Sequence, residues 1–245
     1  MQTIRSFFFV VQMYIAMPIV GIVYLPWAIF SAKGAHAACH AYSRWVIWTL
    51  DWMCNLKVEV RGTPPDFECM VAAKHQSFLD ILTIYYYMPR GKFIMKAILR
   101  FAPVIGQYGL RIGCVPVDRG KRGAAIAKML EDVQSGKQQG GQLIIYPQGT
   151  RVAPGESRPY KIGTGILYEQ LGQPVVPVAT NVGVFWPKRG ITRYPGTAVI
   201  HYLPRIEPGL PKEEFMARLE ADIEGVSNQL LDEAGFERRL SHADN

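Results

Sequence analysis

Cysteine is scarce. The 245 residues hold four, Cys39, Cys54, Cys69 and Cys114, and no two stand three apart. That spacing argues against a C-x-x-C redox motif or a zinc site and leaves buried, reduced thiols as the expectation. No Gly-x-Ser-x-Gly stretch occurs, and no cysteine has an obvious histidine partner, so a nucleophilic hydrolase is disfavoured. There is no dense Lys/Arg helix, no zinc-finger spacing and no low-complexity arm, so nothing points to nucleic acid. Acidic side chains are in deficit: 20 Asp and Glu against 27 Lys and Arg, a formal net charge of +7, with a sequence pI of about 9.2. A basic balance of this kind suits an anionic membrane face or a phosphate-bearing substrate.

What is plentiful is apolar surface at the front. Residues 4–30 are nearly all apolar. As a helix, the run 7–30 would measure roughly 36 Å against a hydrocarbon core of about 30 Å. Pro18, Gly21 and Pro26 make a kinked or re-entrant element as reasonable an expectation as a straight span. Arg5 before the run and Ala35-His36-Ala37 after it imitate a signal peptide, but the apolar core is too long for one. A second helical stretch, 34–56, carries Tyr42, Trp45, Val46, Trp48, Thr49, Trp52 and Met53 at helical spacings. Three tryptophans beside a membrane segment suit the interface, where ring and N–H sit at headgroup level. Lys33, Arg44 and Lys57 then place the remainder of the chain on the cytoplasmic side, if the first helix spans.

From residue 57 onward, strands alternate with helices. Residues 57–62 alternate and end in Gly, and read as a strand. Strands are expected at 69–73, 114–117, 142–146, 175–180 and 197–203. Helices are expected at 81–88, 93–101, 122–133, 161–171 and 213–231. This order predicts an α/β fold: a largely parallel mixed sheet flanked by helices, behind an N-terminal membrane-associating helical segment. The expected division is 1–56 for membrane-anchoring helices and 57–245 for the α/β domain.

The chain is organised around Lys74-His75-Gln76-Ser77-Phe78-Leu79-Asp80. His75 falls in the turn after a strand, and Asp80 in the first turn of the next helix. Ser77 stands three residues before Asp80, the spacing of a capping box. A corner of this kind folds an imidazole back onto a carboxylate five residues on, which makes His75 a candidate general base. One His and one Asp at this spacing are common by chance. A second block, Tyr146-Pro147-Gln148-Gly149-Thr150-Arg151, changes the weighing. His-x-x-x-x-Asp followed by an aromatic-Pro-Glu-Gly-Thr-Arg block resembles the glycerolipid acyltransferases, in particular the 1-acyl-glycerol-3-phosphate acyltransferases. Residues 92–119, ending Gly113-Cys114-Val115-Pro116-Val117-Asp118-Arg119, and the strand Val175-Val176-Pro177-Val178-Ala179 resemble the family's other two blocks.

Acyl transfer to an alcohol needs a base, a stabilised oxyanion and a positioned acceptor. His75 is expected to be the base and Asp80 to fix its tautomer, with the substrate hydroxyl standing where a hydrolase has its serine. Arg151 is the candidate phosphate holder, because a guanidinium binds phosphate through two bonds. Gly149 permits close backbone approach and Thr150 adds a donor. The resemblance assigns this block to the glycerol-phosphate end of the acceptor and adds Lys96 and Arg119 as basic partners. Lys92 and Arg100 read instead as solvated surface charges. Gln148 departs from the family, which has Glu there; it keeps size and loses charge, is a candidate for tuning the acceptor headgroup, and Gln148→Glu is expected to stay active. Val176, Pro177 and Val178 are either an acyl-lining strand or plain core. Residues 185–195 read as a surface turn or a membrane-contacting lip.

The resemblance implies transfer of a fatty acyl group from acyl-CoA or acyl-carrier protein to the sn-2 hydroxyl of 1-acyl-glycerol-3-phosphate, giving phosphatidic acid. It implies work on the cytosolic face of a membrane, lipid partners, and no metal or cofactor beyond the acyl donor. The alternatives are another lysolipid acceptor, such as a lyso-ornithine lipid or lysophospholipid, and a membrane-anchored lipid-binding protein without turnover.

Overall fold

The computed structural model describes residues 1–117 and 140–236 and, between them, the helical positions Gly123, Ala127 and Glu131. The rest of the expected helix over 122–133 lies outside the described residues, and so does Arg119. Two long helices open the chain, α1 (Gln2–Phe30) and α2 (Ala32–Cys54), joined at Ser31. Seven strands follow: β1 (Leu56–Arg61), β2 (Cys69–Ala73), β3 (Gly91–Lys96), β4 (Val115–Val117), β5 (Gln142–Ile145), β6 (Val175–Thr180) and β7 (Gly196–Tyr202). Their helices are α3 (Leu79–Tyr86), α4 (Ile105–Arg111), α5 (Gly163–Leu171), the short α6 (Val182–Phe185) and α7 (Lys212–Glu233). The sheet order is β1-β7-β6-β2-β5-β3-β4. Every neighbouring pair is parallel except β6 and β7. The sheet is therefore mixed and mainly parallel, as expected.

The central strands β2, β5 and β6 are buried along their whole length. That is why their sequences read as unbroken apolar runs rather than alternating ones. Pro177 sits mid-strand in β6 without breaking it. Its carbonyl accepts from Leu203 N beyond the end of β7, so its missing N–H also faces that side, past the ladder. Val176 and Val178 belong to the main hydrophobic core.

The segment 91–101 differs from expectation, and α4 at Ile105–Arg111 is a helix that the sequence reading did not include. Residues 93–101 are not a helix: 91–96 form β3, and a single 3-10 turn follows at Ala97–Phe101. Lys92 is correspondingly not a surface charge. It is 4% exposed, inside β3 opposite Leu143, and burial lowers its pKa. Arg100 is exposed and stacks on Phe101.

The N-terminal hairpin lies along the body. Near its start, Gln2 Nε2 donates to Cys54 O and Arg193 O, and Arg193 N donates to Ser6 Oγ. Phe9 meets Trp186 edge-to-face. Two thirds of the way along, Tyr108 Oη of α4 donates to Gly21 O at 2.5 Å. Gly21 is required there, because a Cβ would fall 2.9 Å from a methyl of Val104. Pro18 and Pro26 are both contained in one continuous helix. Phe9, Met13, Ala28, Ala35 and Val46 share a core with β2, β6 and β7. The opposite side of α1 is apolar and exposed, from Ile4 and Phe7 to Ile22 and Val23, and the helix is long and apolar enough to cross a membrane. On α2, Trp45, Trp48 and Trp52 form an exposed ladder of rings. The 185–195 loop is not a free surface turn. Trp186 and Arg193 are buried, Arg193 lies over the Trp186 ring, and the loop seats α1.

Candidate active site

His75 and the Tyr146–Arg151 turn leave the sheet at the same end, beyond the carboxyl ends of the paired strands β2 and β5. Open parallel sheets build their sites at this end. Asp80 is fully buried in the first turn of α3. Its Oδ2 accepts from Gln76 N at 2.8 Å and Ser77 N at 2.7 Å, and its Oδ1 is 2.8 Å from His75 Nδ1. This is one half of the expected capping box, the carboxylate reaching back to the backbone. The other half differs: Ser77 Oγ takes the N–H of Leu79, two residues on. The carboxylate is thus held by three donors, and an ionised carboxylate can only accept. The proton on the His75 ring therefore sits on Nδ1, leaving the Nε2 lone pair available in the neutral ring.

The imidazole is further fixed by stacking on Tyr146, with ring centroids 3.9 Å apart. Burial first, then the nearby Asp80 charge, holds the Tyr146 phenol neutral, well above its usual titration range. His75 O also accepts from Val152 N at 2.8 Å. That bond ties the histidine to the turn that ends in Arg151.

In that turn Gly149 has φ of +68° and donates its N–H to Tyr146 O at 2.8 Å. Only glycine takes this backbone without strain. A Cβ at Gly149 would meet Lys161 Nζ at 2.7 Å, so the ammonium of Lys161 lies directly over the turn. Lys161 N also donates to Pro147 O. Thr150 and Arg151 are half-buried, and the Arg151 guanidinium makes no ion pair with a described residue. Lys96 is exposed at the carboxyl end of β3, the strand beside β5, and so lies at the same end of the sheet. The geometry bonds His75 to Asp80 directly and ties the His75 backbone to Val152, the residue after Arg151, so that Gly149, Thr150 and Arg151 lie in the turn that reaches the histidine. It records no contact that brings Lys96 onto Arg151. The turn thus offers a base, a close-approach backbone and two cations, an arrangement that can deprotonate a hydroxyl on a molecule held by its phosphate.

Gln148 is 3% exposed and faces inward. Its Nε2 donates to Arg158 O at 3.2 Å and Glu224 Oε1 at 3.3 Å. Glu224, on α7, pairs with Lys74 Nζ at 2.6 Å, and Tyr160 Oη donates to it at 3.0 Å. Sequence reasoning gave no role to Lys161, Glu224 or Tyr160. Lys161 could have been noticed as a cation at the head of a helix following the Gly-Thr-Arg turn. Glu224 sits on a helix face that looks ordinarily amphipathic, and no local pattern marks it.

The model of the family described as Acyltransferase matches residues 57–181, just over half of the chain. A 1-acyl-sn-glycerol-3-phosphate acyltransferase of Pseudomonas aeruginosa is 26% identical over 204 residues, covering 82% of this chain and 79% of that protein. A human 1-acyl-sn-glycerol-3-phosphate acyltransferase alpha is 30% identical over 171 residues, covering 64% of this chain and 60% of that one. The crystal structure of the 1-acyl-sn-glycerophosphate acyltransferase PlsC from Thermotoga maritima superposes with a TM-score of 0.76 over 97% of this chain and 99% of that one. At 23% identity, this establishes the shared fold. Because that model covers more than half of the chain, running from β1 to the end of β6 and over the His75–Asp80 corner, the chain belongs to the Acyltransferase family.

Proposed function

We propose that this protein moves a fatty acyl group from a thioester, acyl-CoA or acyl-carrier protein, to the sn-2 hydroxyl of 1-acyl-sn-glycerol-3-phosphate, making phosphatidic acid at the cytoplasmic face of a membrane. The observation that carries the reading is the backbone bond between His75 and Val152, at the end of the Arg151 turn, which sets a base beside a turn that carries Arg151 and Lys161. The names of the relatives in Pseudomonas aeruginosa and human point to the same acceptor.

In this mechanism Arg151, Thr150 and the Gly149 backbone hold the acceptor's phosphate, with Lys161 above them and Lys96 and Arg119 as further cations. His75 Nε2 takes the proton from the sn-2 hydroxyl as its oxygen attacks the thioester carbonyl. Asp80 stabilises the imidazolium that forms. The thiol leaves with the proton that His75 returns. No acyl-enzyme forms, since the hydroxyl itself is the nucleophile. The exposed side of α1 and the tryptophans of α2 supply the membrane contact. Gln148 favours a second reading, a different lysolipid headgroup, because it removes a charge close to the phosphate turn.

Mass-spectrometric product detection tests both readings. The purified protein meets a mixture of lysolipids, with acyl-CoA and acyl-carrier protein offered separately, beside His75→Ala. Phosphatidic acid is expected from the wild type, and a loss of about 10²–10⁴-fold from the variant. A different acylated lipid moves the headgroup assignment. No product from folded protein with any acceptor replaces the enzyme with a lipid-binding protein.

A further inference from the structure

We propose that Glu224 of α7 is a positioning residue that keeps the floor of this site neutral and joined, and that position 148 is an amide because Glu224 already supplies the single carboxylate the floor can hold. The inference rests on the reading above for its substrate.

One carboxylate collects three donors, and each belongs to a different segment of the site. Lys74, directly before His75, donates to both oxygens at 2.7 and 2.6 Å and is 3% exposed. Gln148, three residues before Arg151, donates through Nε2. Tyr160, directly before Lys161, donates through Oη. Burial of the Lys74 ammonium requires a counter-charge, and Glu224 is the one present. The pair sums to zero, and Gln148 and Tyr160 add nothing. Arg151 and Lys161, which make no ion pair with a described residue, are therefore left uncompensated beside this floor, free to meet an anionic group.

The orientation of Gln148 follows from the same carboxylate. Turned over, its Oε1 would face Glu224 Oε1, acceptor against acceptor. In the orientation present, Oε1 is buried without a hydrogen-bond partner among the described residues. The site tolerates that cost to keep the amide N–H on Glu224. A carboxylate at 148 would lie about as close to Glu224 as the amide nitrogen does now, 3.3 Å. It would leave a net negative floor beneath the phosphate.

A double-mutant cycle on the full chain in detergent tests this. Wild type, Gln148→Glu, Glu224→Gln and the double variant are compared for thermal midpoint, and for KM and kcat with 1-acyl-glycerol-3-phosphate. Gln148→Glu is expected to stay active, with KM for the acceptor raised roughly ten-fold, kcat changed less than about three-fold, and a lowered midpoint. Glu224→Gln alone leaves Lys74 unpaired and lowers the midpoint. The double variant, again with one carboxylate, recovers most of the KM and the midpoint lost in Gln148→Glu. An unchanged KM and midpoint in Gln148→Glu, or a double variant no better than the worse single, overturns the proposal. If the Glu224→Gln proteins do not fold, Tyr160→Phe replaces them, because it removes a donor and no charge. Its KM must rise less than that of Gln148→Glu, which adds a charge; an equal rise in both overturns the charge argument. A wild type that makes no phosphatidic acid sinks the substrate assignment instead, and the recovery of thermal midpoint in the double variant still decides the role of Glu224.

Discussion

Both oxygens of the Asp80 carboxylate are engaged, and that makes it a sensitive position. Both Oδ2 bonds go to backbone N–H groups, and Oδ1 faces His75. In Asp80→Asn the one remaining oxygen is needed by the Gln76 and Ser77 amides. The new NH2 then faces the ring and forces its Nδ1 to accept, which moves the proton to Nε2 and removes the base. Turnover should fall by about 10²–10⁴-fold while the thermal midpoint changes little, and steady-state kinetics beside calorimetry would check it. Arg151→Lys replaces a two-bond fork with a point charge. KM for the phosphate-bearing acceptor should rise roughly ten-fold with kcat less affected, as titration of the acceptor would report. At this scale much of the site was legible. His75 and Asp80 sit five apart in a polar step between two apolar runs, and a strand-turn-helix corner is nearly the only way to satisfy that pattern. Lys161 and Glu224 were not legible, because each comes from an element whose approach is fixed only by the folded sheet.

Elements were legible where their period was decisive and not elsewhere. Lys92, Lys96 and Arg100 stand four apart, which reads as one helix face. Residues four apart also share a face of a strand, so the spacing cannot separate the two. What makes 91–96 a strand is its place between β5 and β4, a partnership far away in the chain. The α2–α3 contact gives this scale its own prediction. His36 of α2 is 2.8 Å from Tyr85 Oη of α3, and the rings stack. Burial first, then the charges of His40, Arg90 and Lys92 nearby, lower its pKa from 6.5 to about 4. Burial also raises the Tyr85 phenol, so a neutral phenol faces a neutral ring. Between about pH 6.5 and 4 the unfolded chain binds a proton at His36 that the native protein refuses. This contribution to stability is therefore intact above pH 6.5, is lost progressively as pH falls, and stops changing below about 4. Denaturant melts at pH 7.5, 5.5 and 4.5 should show the decline, and His36→Gln should flatten it.

The whole molecule does not separate at residue 56 into parts that pack alone. Phe9 and Met13 of α1 are as buried as the strands they face, and burying each contributes about 1.5–3 kcal/mol. Deleting residues 2–30 would expose that core and strip the Gln2 and Ser6 bonds from Cys54 and Arg193. The truncated protein should unfold at a lower temperature or aggregate, even in detergent, which size-exclusion chromatography and thermal melts would show. A helix that served only as a tether could be removed without this loss. The apolar run was evident from composition, but composition could not tell a helix that leaves the body from one that lies along it.

The bonds at Arg193 and Tyr108 hold α1 to the body at points fifteen residues or more apart. Among the described residues, the oily ridge is therefore fastened to the body at both of these points. On the proposed function, the depth at which that ridge settles into a bilayer also sets the height of His75 above the lipid, and mooring and reach become a single setting. With a lysolipid acceptor as proposed, a change that lifts the helix by one turn would move His75 out of range of a hydroxyl whose acyl tail stays in the leaflet.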